Sequence, residues 1–170
     1  MDVFDAIATR ASVRHFESVE IPESDLLKIL DAGRRAPSGM NLQPLHYILI
    51  RDRETLRKLG KVQEFIRGAS AAIAIAADPG ASEYWVEDAS AAAENMLLAI
   101  AALGYGSTWV EGTLHRNEEW AKRLLGVPDH LRLCILLPIG KPVGPVAQAP
   151  KKPLAQLVSY ERFEQRRPSD

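Results

Sequence analysis

An alanine-rich apolar stretch between Glu87 and Leu103 constrains the fold more than any other feature of the sequence. Larger apolar side chains stand among its alanines: Met96, Leu97, Leu98 and Ile100. Alanine and leucine have high helix propensity, and the apolar residues would fall on nearly every side of a helix. Such a helix needs cover from all directions, so we predict that it lies centrally and that other elements pack around it.

Shorter patterns predict the elements that would surround this helix. Runs rich in apolar and β-branched residues predict strands at Leu45–Ile50 and Ala71–Ala77, and at residues 107–110 and 131–139. Apolar spacing with start and stop signals predicts helices near residues 3–10, 22–33, 54–60 and 117–125. The strands are separated by helices and are too few for a large doubly wound sheet, so we predict a layered α+β fold.

Length and charge exclude several functional classes. A chain of 170 residues fits one domain. Its 21 Lys and Arg residues against 22 Asp and Glu residues give a net charge of -1, which disfavours nucleic acid as a partner. The apolar runs are shorter than a membrane span, and the first residues do not resemble an export signal. With Cys134 as its one cysteine, the chain suits a reducing, cytoplasmic compartment.

The residue pattern of the sequence changes beyond Gly140. Prolines recur at positions 142, 145, 150 and 153, and helical periodicity is almost absent there. We predict an extended C-terminal arm over about residues 143–170. A free arm of this length would bury little surface, whereas an arm laid across a second copy would bury more, so the sequence predicts a homodimer.

Three polar clusters are candidates for a functional site. They are the turn at residues 10–14, the loop at residues 37–44 and the lysine pair Lys151 and Lys152. Taken singly, each has an ordinary explanation: a solvated turn, a Pro/Gly/Asn loop, and lysines that face solvent.

Taken together and in order, the clusters resemble the flavin-dependent nitroreductase family. The matching patterns are Arg-x-Ser-x-Arg at residues 10–14, Pro-Ser-x-x-Asn-x-Gln-Pro at 37–44, Gly-Tyr-Gly-Ser-Thr-Trp-Val-Glu-Gly at 104–112, Pro-Ile-Gly-Lys-Pro at 138–142, and Pro-Lys-Lys-Pro-Leu at 150–154. The resemblance implies a central, mainly antiparallel sheet flanked by helices, with the arm exchanged across an FMN-binding homodimer. It also implies reduction of nitroaromatics, quinones or a related small acceptor with NAD(P)H as the electron donor.

The resemblance also implies roles at the phosphate end of FMN. Arg10 and Ser12, with the backbone around Ala11, would hold the phosphate and ribityl end. Lys151 or Lys152 would add positive charge, and the sequence does not choose between them. Such donors suit a phosphate, which carries close to two negative charges.

Further roles follow for the flavin ring. Arg14 would lie near the N1 and O2 side, where a fixed cation favours the reduced flavin. Asn41 and Gln43 would read the pyrimidine edge, because a side-chain amide offers both a donor and an acceptor. Pro37 and Ser38 would line the same loop, which in this family approaches a flavin held mainly by the other subunit. Glu111 and Gly112 would lie over the central ring, with the Glu111 backbone amide facing N5.

No side chain is assigned as a general acid or base, because flavin N5 would accept the hydride itself. The four histidines are scattered without a metal-ligand spacing, and no metal is expected. Asp88, Ser90 and His115 lack the nucleophile elbow of a hydrolase. Three alternatives remain open: a flavin-binding or sensing dimer without turnover, a non-nitro flavin reaction such as reductive dehalogenation, and an interaction domain without a cofactor.

Overall fold

The structure is a computed structural model, and it describes residues 1–163. In chain order the helices of this part are α1 (Val3–Thr9), α2 (Glu23–Arg34), α3 (Arg53–Leu59), α4 (Trp85–Ala102), α5 (Gly112–His115) and α6 (Glu118–Leu125). The strands are β1 (Phe16–Glu17), β2 (Leu45–Ile50), β3 (Ala71–Ala77), β4 (Gly106–Ser107) and β5 (Arg132–Pro142). Short 3₁₀ helices lie at Gly39–Asn41, Glu64–Gly68 and Leu154–Gln156.

The five strands form one sheet in the order β1-β5-β3-β2, and β4 pairs with β5 as well. Every one of these strand pairs is antiparallel. The predicted α+β fold, with an antiparallel sheet between helices, is therefore confirmed. Exchange of the arm across a dimer stays a prediction.

Side chains from the two faces of β3 enter two separate apolar clusters. Ile73 and Ile75 pack on one face with α2 and α4, while Ala72, Ala74 and Ala76 pack on the other with α3, α5 and α6. All seven residues of β3 are buried, as the period of two requires for a strand covered on both faces. Helix α4 contacts α1, α2 and the sheet, so the predicted central helix is confirmed.

The predicted strand at residues 107–110 is shorter in the structure. Only Gly106 and Ser107 form β4, and the chain then leaves the ladder until Val110, which bridges to Leu136. The approach of the N-terminal chain explains the glycine, because a Cβ on Gly106 would collide with the Val13 side chain. The Val13 N–H donates to the Ser107 carbonyl at 2.8 Å, which places residues 10–13 directly beside β4.

The start of the arm lies against its own chain. The Val143 N–H donates to the His15 carbonyl, and the Gln148 amide donates to the carbonyls of Ile7 and Arg10 at 3.1 and 3.0 Å. Residues 143–153 form neither helix nor strand, as predicted for an extended arm. Residues 164–170 of the predicted arm lie outside the described residues. No helix within residues 1–163 has the length and apolar character needed to cross a bilayer.

Candidate functional site

The first polar cluster begins where α1 ends. The Arg10 N–H donates to the Ala6 carbonyl at 2.9 Å, and the Arg10 side chain turns towards α4, with Nε 3.6 Å from Glu94 Oε1. Arg10 and Ala11 line a cavity of about 180 Å³ between α1, α4 and β4. Ser12 is exposed, and within residues 1–163 its hydroxyl has no hydrogen-bond partner. Arg10 and Ser12 therefore offer donors to an anion.

Ser107 lies next to Ser12, to which it is joined by a parallel bridge. Ser107 is 3% exposed and also lines the Arg10 cavity. In the described part of the chain its Oγ is the one fully buried side-chain polar atom without a partner. A buried hydroxyl without a hydrogen bond costs about 1–3 kcal/mol, so this atom marks a place where a ligand or water belongs.

Glu111 lies four residues after Ser107 in the chain. In an extended conformation this separation is roughly 13 Å. The Glu111 carboxylate accepts a hydrogen bond from Trp109 Nε1 at 2.9 Å, so it is turned back onto its own chain. The Glu111 N–H donates to no acceptor among residues 1–163. Gly112 follows, exposed, at the start of α5. The arrangement leaves a backbone donor, and not a carboxylate, free at this end of the segment.

Arg14 lines a second cavity, of about 700 Å³, together with Phe16, Glu64 and Phe65. The guanidinium of Arg14 is exposed and forms no ion pair with any residue up to 163. Glu64 and Phe65 form one wall of this cavity, and the preceding residue, Gln63, donates from its side-chain amide to Thr113 Oγ1 at 3.1 Å. This wall therefore adjoins the segment that starts at Glu111. Sequence reasoning missed Gln63 and Phe65, because only the folded chain brings them to Thr113 and Arg14.

The loop at residues 37–44 has an unusual backbone. Met40, Asn41 and Gln43 have φ values of 47°, 58° and 51°, in the left-handed region that non-glycine residues rarely adopt. The Gln43 N–H donates to Ser38 Oγ at 3.1 Å and closes the loop. The side chains of Asn41 and Gln43 are exposed, and the Asn41 amide has no partner among the described residues.

Helix α4 holds this loop at its N-terminal end. The Gly39 N–H donates to Asp88 Oδ1 at 2.8 Å, and Ser82 Oγ donates to Asp88 Oδ2 at 3.2 Å. A Cβ on Gly39 would collide with the ring of Tyr84, so glycine permits the loop to lie close to α4. Sequence reasoning considered Asp88 only for a hydrolase triad; the structure gives it a different contact.

The two predicted halves of the site lie apart on one copy of the chain. Arg10 meets α4 at Glu94 and the loop meets it at Asp88, six residues earlier, which is about 9 Å along the axis and about 120° around it. Pro37, Ser38 and Gln43 line their own cavity of about 150 Å³. The structure thus brings Arg10, Ala11 and Ser12 to β4, four residues before Glu111, but not to the loop.

Lys151 and Lys152 are exposed in the arm and form no ion pair with residues 1–163. Neither lysine lines the cavity of Arg10, although Val146, earlier in the arm, does. Whether either lysine meets a phosphate therefore stays a prediction.

An ion pair lies at the start of β5. Arg132 donates two hydrogen bonds to the Glu118 carboxylate, at 2.8 and 2.9 Å, and the Leu133 N–H donates a third at 3.0 Å. Burial raises the pKa of Glu118, but these hydrogen bonds outweigh the effect of burial, and the pKa lies below its usual value.

Burial raises the pKa of the nearby Cys134 thiol to about 12, so this cysteine is a neutral core residue. Among residues 1–163, no group of three or more potential metal ligands comes together.

Comparison with known proteins decides the family. The sequence profile of the nitroreductase family matches residues 7–64 and 60–141. The chain belongs to the nitroreductase family.

Individual nitroreductases agree along most of the chain. A protein of Archaeoglobus fulgidus, provisionally named NADH dehydrogenase/NAD(P)H nitroreductase, is 42% identical over 145 residues, which are 80% of this chain and 83% of the relative. A crystal structure of a nitroreductase-like protein of Desulfovibrio desulfuricans in complex with FMN is 30% identical with a TM-score of 0.80, covering 96% of this chain and 98% of that one. The iodotyrosine deiodinase of Thermotoga neapolitana is 25% identical over an alignment of 189 residues, which covers 95% of this chain and 98% of the relative.

Membership of the nitroreductase family confirms the resemblance drawn from the sequence and the prediction of an oxidoreductase enzyme. The names of the relatives agree with FMN as cofactor and NAD(P)H as donor. The roles assigned to single residues stay predictions.

Proposed function

We propose that this nitroreductase is an FMN-containing, NAD(P)H-dependent oxidoreductase that works as a homodimer. When bound, FMN supplies the redox chemistry: it takes two electrons and a proton from NAD(P)H as hydride and passes two electrons to a nitroaromatic, a quinone or a related small acceptor. The protein's own residues bind and orient the reactants.

One observation carries the proposal: a row of polar donors runs from the end of α1 to the adjoining segment at residues 107–111. Arg10 is paired with Glu94, and among residues 1–163 the other members have no hydrogen-bond partner. The guanidinium of Arg10 and the hydroxyl of Ser12 stand at one end, the buried hydroxyl of Ser107 comes next, and the free N–H of Glu111 is at the other end. Cation and hydroxyl donors suit a phosphate, and a lone backbone donor suits a ring nitrogen. The donor set therefore fits FMN with its phosphate at Arg10 and its ring at Glu111.

Arg14 supports the position of the ring. It lines the cavity whose wall adjoins Thr113, two residues after Glu111. A fixed cation stabilises negative charge that develops on the N1 and O2 side when the ring is reduced. Phe16 and Phe65 give the same cavity two aromatic walls, which suits a flat, apolar ring system.

The loop at residues 37–44 would serve the flavin of a second copy. Gln43 lines a cavity separate from that of Arg10, and the side chain of Asn41 is exposed, so one chain does not assemble both halves. A dimer in which each loop reaches the partner's row of donors would complete two equivalent sites, as twofold symmetry requires.

Exposed apolar residues support the dimer. Phe4 on α1 is 77% exposed, and Leu154 and Leu157 in the arm are 76% and 62% exposed. Contact with a second copy would bury them, with Lys151 or Lys152 carried towards the partner's phosphate. We also propose a cytoplasmic location, because one buried cysteine suits a reducing compartment.

Two alternatives keep the cofactor and change the outcome. Reductive dehalogenation has a specific observation in its favour, the similarity to iodotyrosine deiodinase over nearly the whole chain. A sensing dimer would bind FMN without turnover. Steady NAD(P)H oxidation with a nitroaromatic or quinone acceptor, compared with iodide release from an iodotyrosine under the same conditions, separates the three.

The first experiment is a visible spectrum of the purified protein, with the released cofactor identified by chromatography. We expect a flavin spectrum, release of FMN and bleaching on anaerobic addition of NADH or NADPH.

Arg10→Ala is expected to weaken FMN binding by about ten- to a hundredfold, which is the loss expected for one charge-assisted hydrogen bond to a phosphate. Arg123→Ala is the control, because Arg123 is an exposed arginine on α6 without a described ion pair. A dissociation constant for FMN in Arg10→Ala within about twofold of that of the wild type would refute the phosphate assignment.

A second experiment tests the arm. A chain that ends after Lys141 loses the arm but keeps β5 almost whole. We expect this chain to be monomeric in analytical ultracentrifugation and to bind FMN weakly, because both the interface and the lysines are gone. A truncated chain that remains dimeric and yellow would contradict the proposed exchange of the arm.

A further inference from the structure

A carboxylate that the proposed function does not use is buried beneath the loop at residues 37–44. Asp88 lies in the first turn of α4 and is 3% exposed. Both of its oxygens are occupied, Oδ1 by the Gly39 N–H and Oδ2 by the Ser82 hydroxyl. The bond from Gly39 joins positions that are 49 residues apart in the chain. Asp88 therefore attaches the loop to the central helix.

The loop needs such an attachment because its backbone is strained. Met40, Asn41 and Gln43 are all in the left-handed region, where a non-glycine residue costs on the order of 1–2 kcal/mol in an unsupported chain. Residues in this state persist only where surrounding contacts over-determine them. Gly39 immediately precedes the first of them, so its bond to a charged acceptor fixes the point from which the strained segment departs.

We propose that Asp88 is a positioning residue for the cofactor: it holds Gly39 so that the amides of Asn41 and Gln43 are preformed for the pyrimidine edge of FMN. The inference rests on the proposed function and deepens it. A preformed loop does not lose further conformational freedom when the flavin binds, so the affinity gained from the amides is kept. A charged acceptor suits this task, because its hydrogen bonds are about twice as strong as those of neutral groups.

An ordinary structural role would have different consequences. An acid in the first turn of a helix also interacts favourably with the helix dipole. Glu87 stands beside Asp88 in the same turn, but it is exposed and has no bond to the loop. Glu87→Ala thus removes a first-turn acid without releasing Gly39, and it is the matched control for Asp88→Ala.

The test asks whether a change in the flavin alters the dissociation constant by the same factor in the wild type and in the Asp88 variants. FMN, 3-methyl-FMN and riboflavin are titrated into the apoprotein, and flavin fluorescence reports the dissociation constant. Methylation at N3 removes the N3–H group, from which the side-chain amide oxygen of Asn41 or Gln43 would accept a hydrogen bond. We therefore expect the wild type to bind 3-methyl-FMN at least about tenfold more weakly than FMN. Riboflavin lacks the phosphate and probes the Arg10 end.

In Asp88→Ala we expect FMN to bind about tenfold more weakly and the penalty of methylation to fall below about twofold, because the amides are no longer held in place. The penalty for losing the phosphate should stay at its wild-type value. Glu87→Ala should leave both penalties unchanged. Asp88→Asn keeps an acceptor oxygen without the charge, so its methylation penalty should lie between those of the wild type and Asp88→Ala.

The outcomes separate the two levels of inference. A wild type that does not bind FMN would overturn the proposed function. A wild type that binds FMN and shows the methylation penalty, with Asp88→Asn and Asp88→Ala retaining that penalty in full, would overturn the role of Asp88 alone. If Asp88→Ala does not fold, Asp88→Asn decides in the same way. Equal loss of the phosphate and methylation penalties would indicate a general structural role and would also overturn it.

Discussion

Glu94 offers the sharpest test of the proposed phosphate site, because it lies beside Arg10 and carries the wrong charge for an anion site. Its Oε1 is 3.6 Å from Arg10 Nε, and the Glu94 side chain is half exposed. A phosphate that contacts the far side of the same guanidinium would lie roughly 7 Å from the Glu94 carboxylate, given a charge-assisted bond of about 2.8 Å. With close to two charges on the phosphate, the repulsion in a water-like dielectric is about 1 kcal/mol.

Glu94→Gln should therefore bind FMN about fivefold more tightly at low ionic strength. The assay is fluorescence titration of the apoprotein at about 0.01 M and about 1 M salt, where the screening lengths are about 30 and 3 Å. At high salt the difference should fall below about twofold. Glu87→Gln is the control: it makes the same change in charge on the same side of α4, about 10 Å away. Unchanged or weaker binding by Glu94→Gln at low salt would refute an anion site at Arg10.

Two further predictions concern stability and reactivity. Glu118→Gln should lower the free energy of unfolding in urea at pH 7 by about 2–3 kcal/mol, because the carboxylate accepts from both Arg132 and the Leu133 N–H. Since the folded pKa of Glu118 is depressed, this stabilisation is present above about pH 5 and is lost as the pH falls through that pKa; a gap from wild type that stays constant down to about pH 3 would contradict it. Cys134, with its pKa raised to about 12 by burial, should react with iodoacetamide at about pH 8 only after unfolding, and rapid labelling of the native protein would contradict its placement in the core.

The long apolar elements were predictable from the sequence because their patterns are local. The strand predicted at Ala71–Ala77 has the same bounds in the structure, and α4 begins only two residues before the predicted helix. Both are marked by continuous apolar runs with clear turn signals after them. The antiparallel arrangement, by contrast, came from the resemblance to the family, because the patterns do not specify which strands pair.

Elements that depend on distant partners were not predictable. Strand β1 has two residues and exists through its pairing with Lys141 and Pro142, more than 120 positions later. The left-handed backbone at Met40 has no signal in its residue type, and the weak preference of asparagine for this region does not specify Asn41, because the support comes from contacts around Gly39. Likewise, the motif at residues 104–112 indicated Glu111, but only the folded chain shows that its carboxylate is bound to Trp109 and its amide is free.

Strand β5 has a consequence for how such chains can diversify. It pairs with β1, β3 and β4 and bridges to Val110, so both ends of the donor row are set by the register of this one strand. A shift of one residue in β5 would turn its side chains to the opposite faces and displace the row with them. The connection from α3 to β3 meets β5 only at its end, where the Ser70 N–H donates to the Ile139 carbonyl at 2.8 Å. A change of length before Ser70 would alter the wall that Glu64 and Phe65 give to the Arg14 cavity, while the register of β5 against β3 and β4 would stay the same.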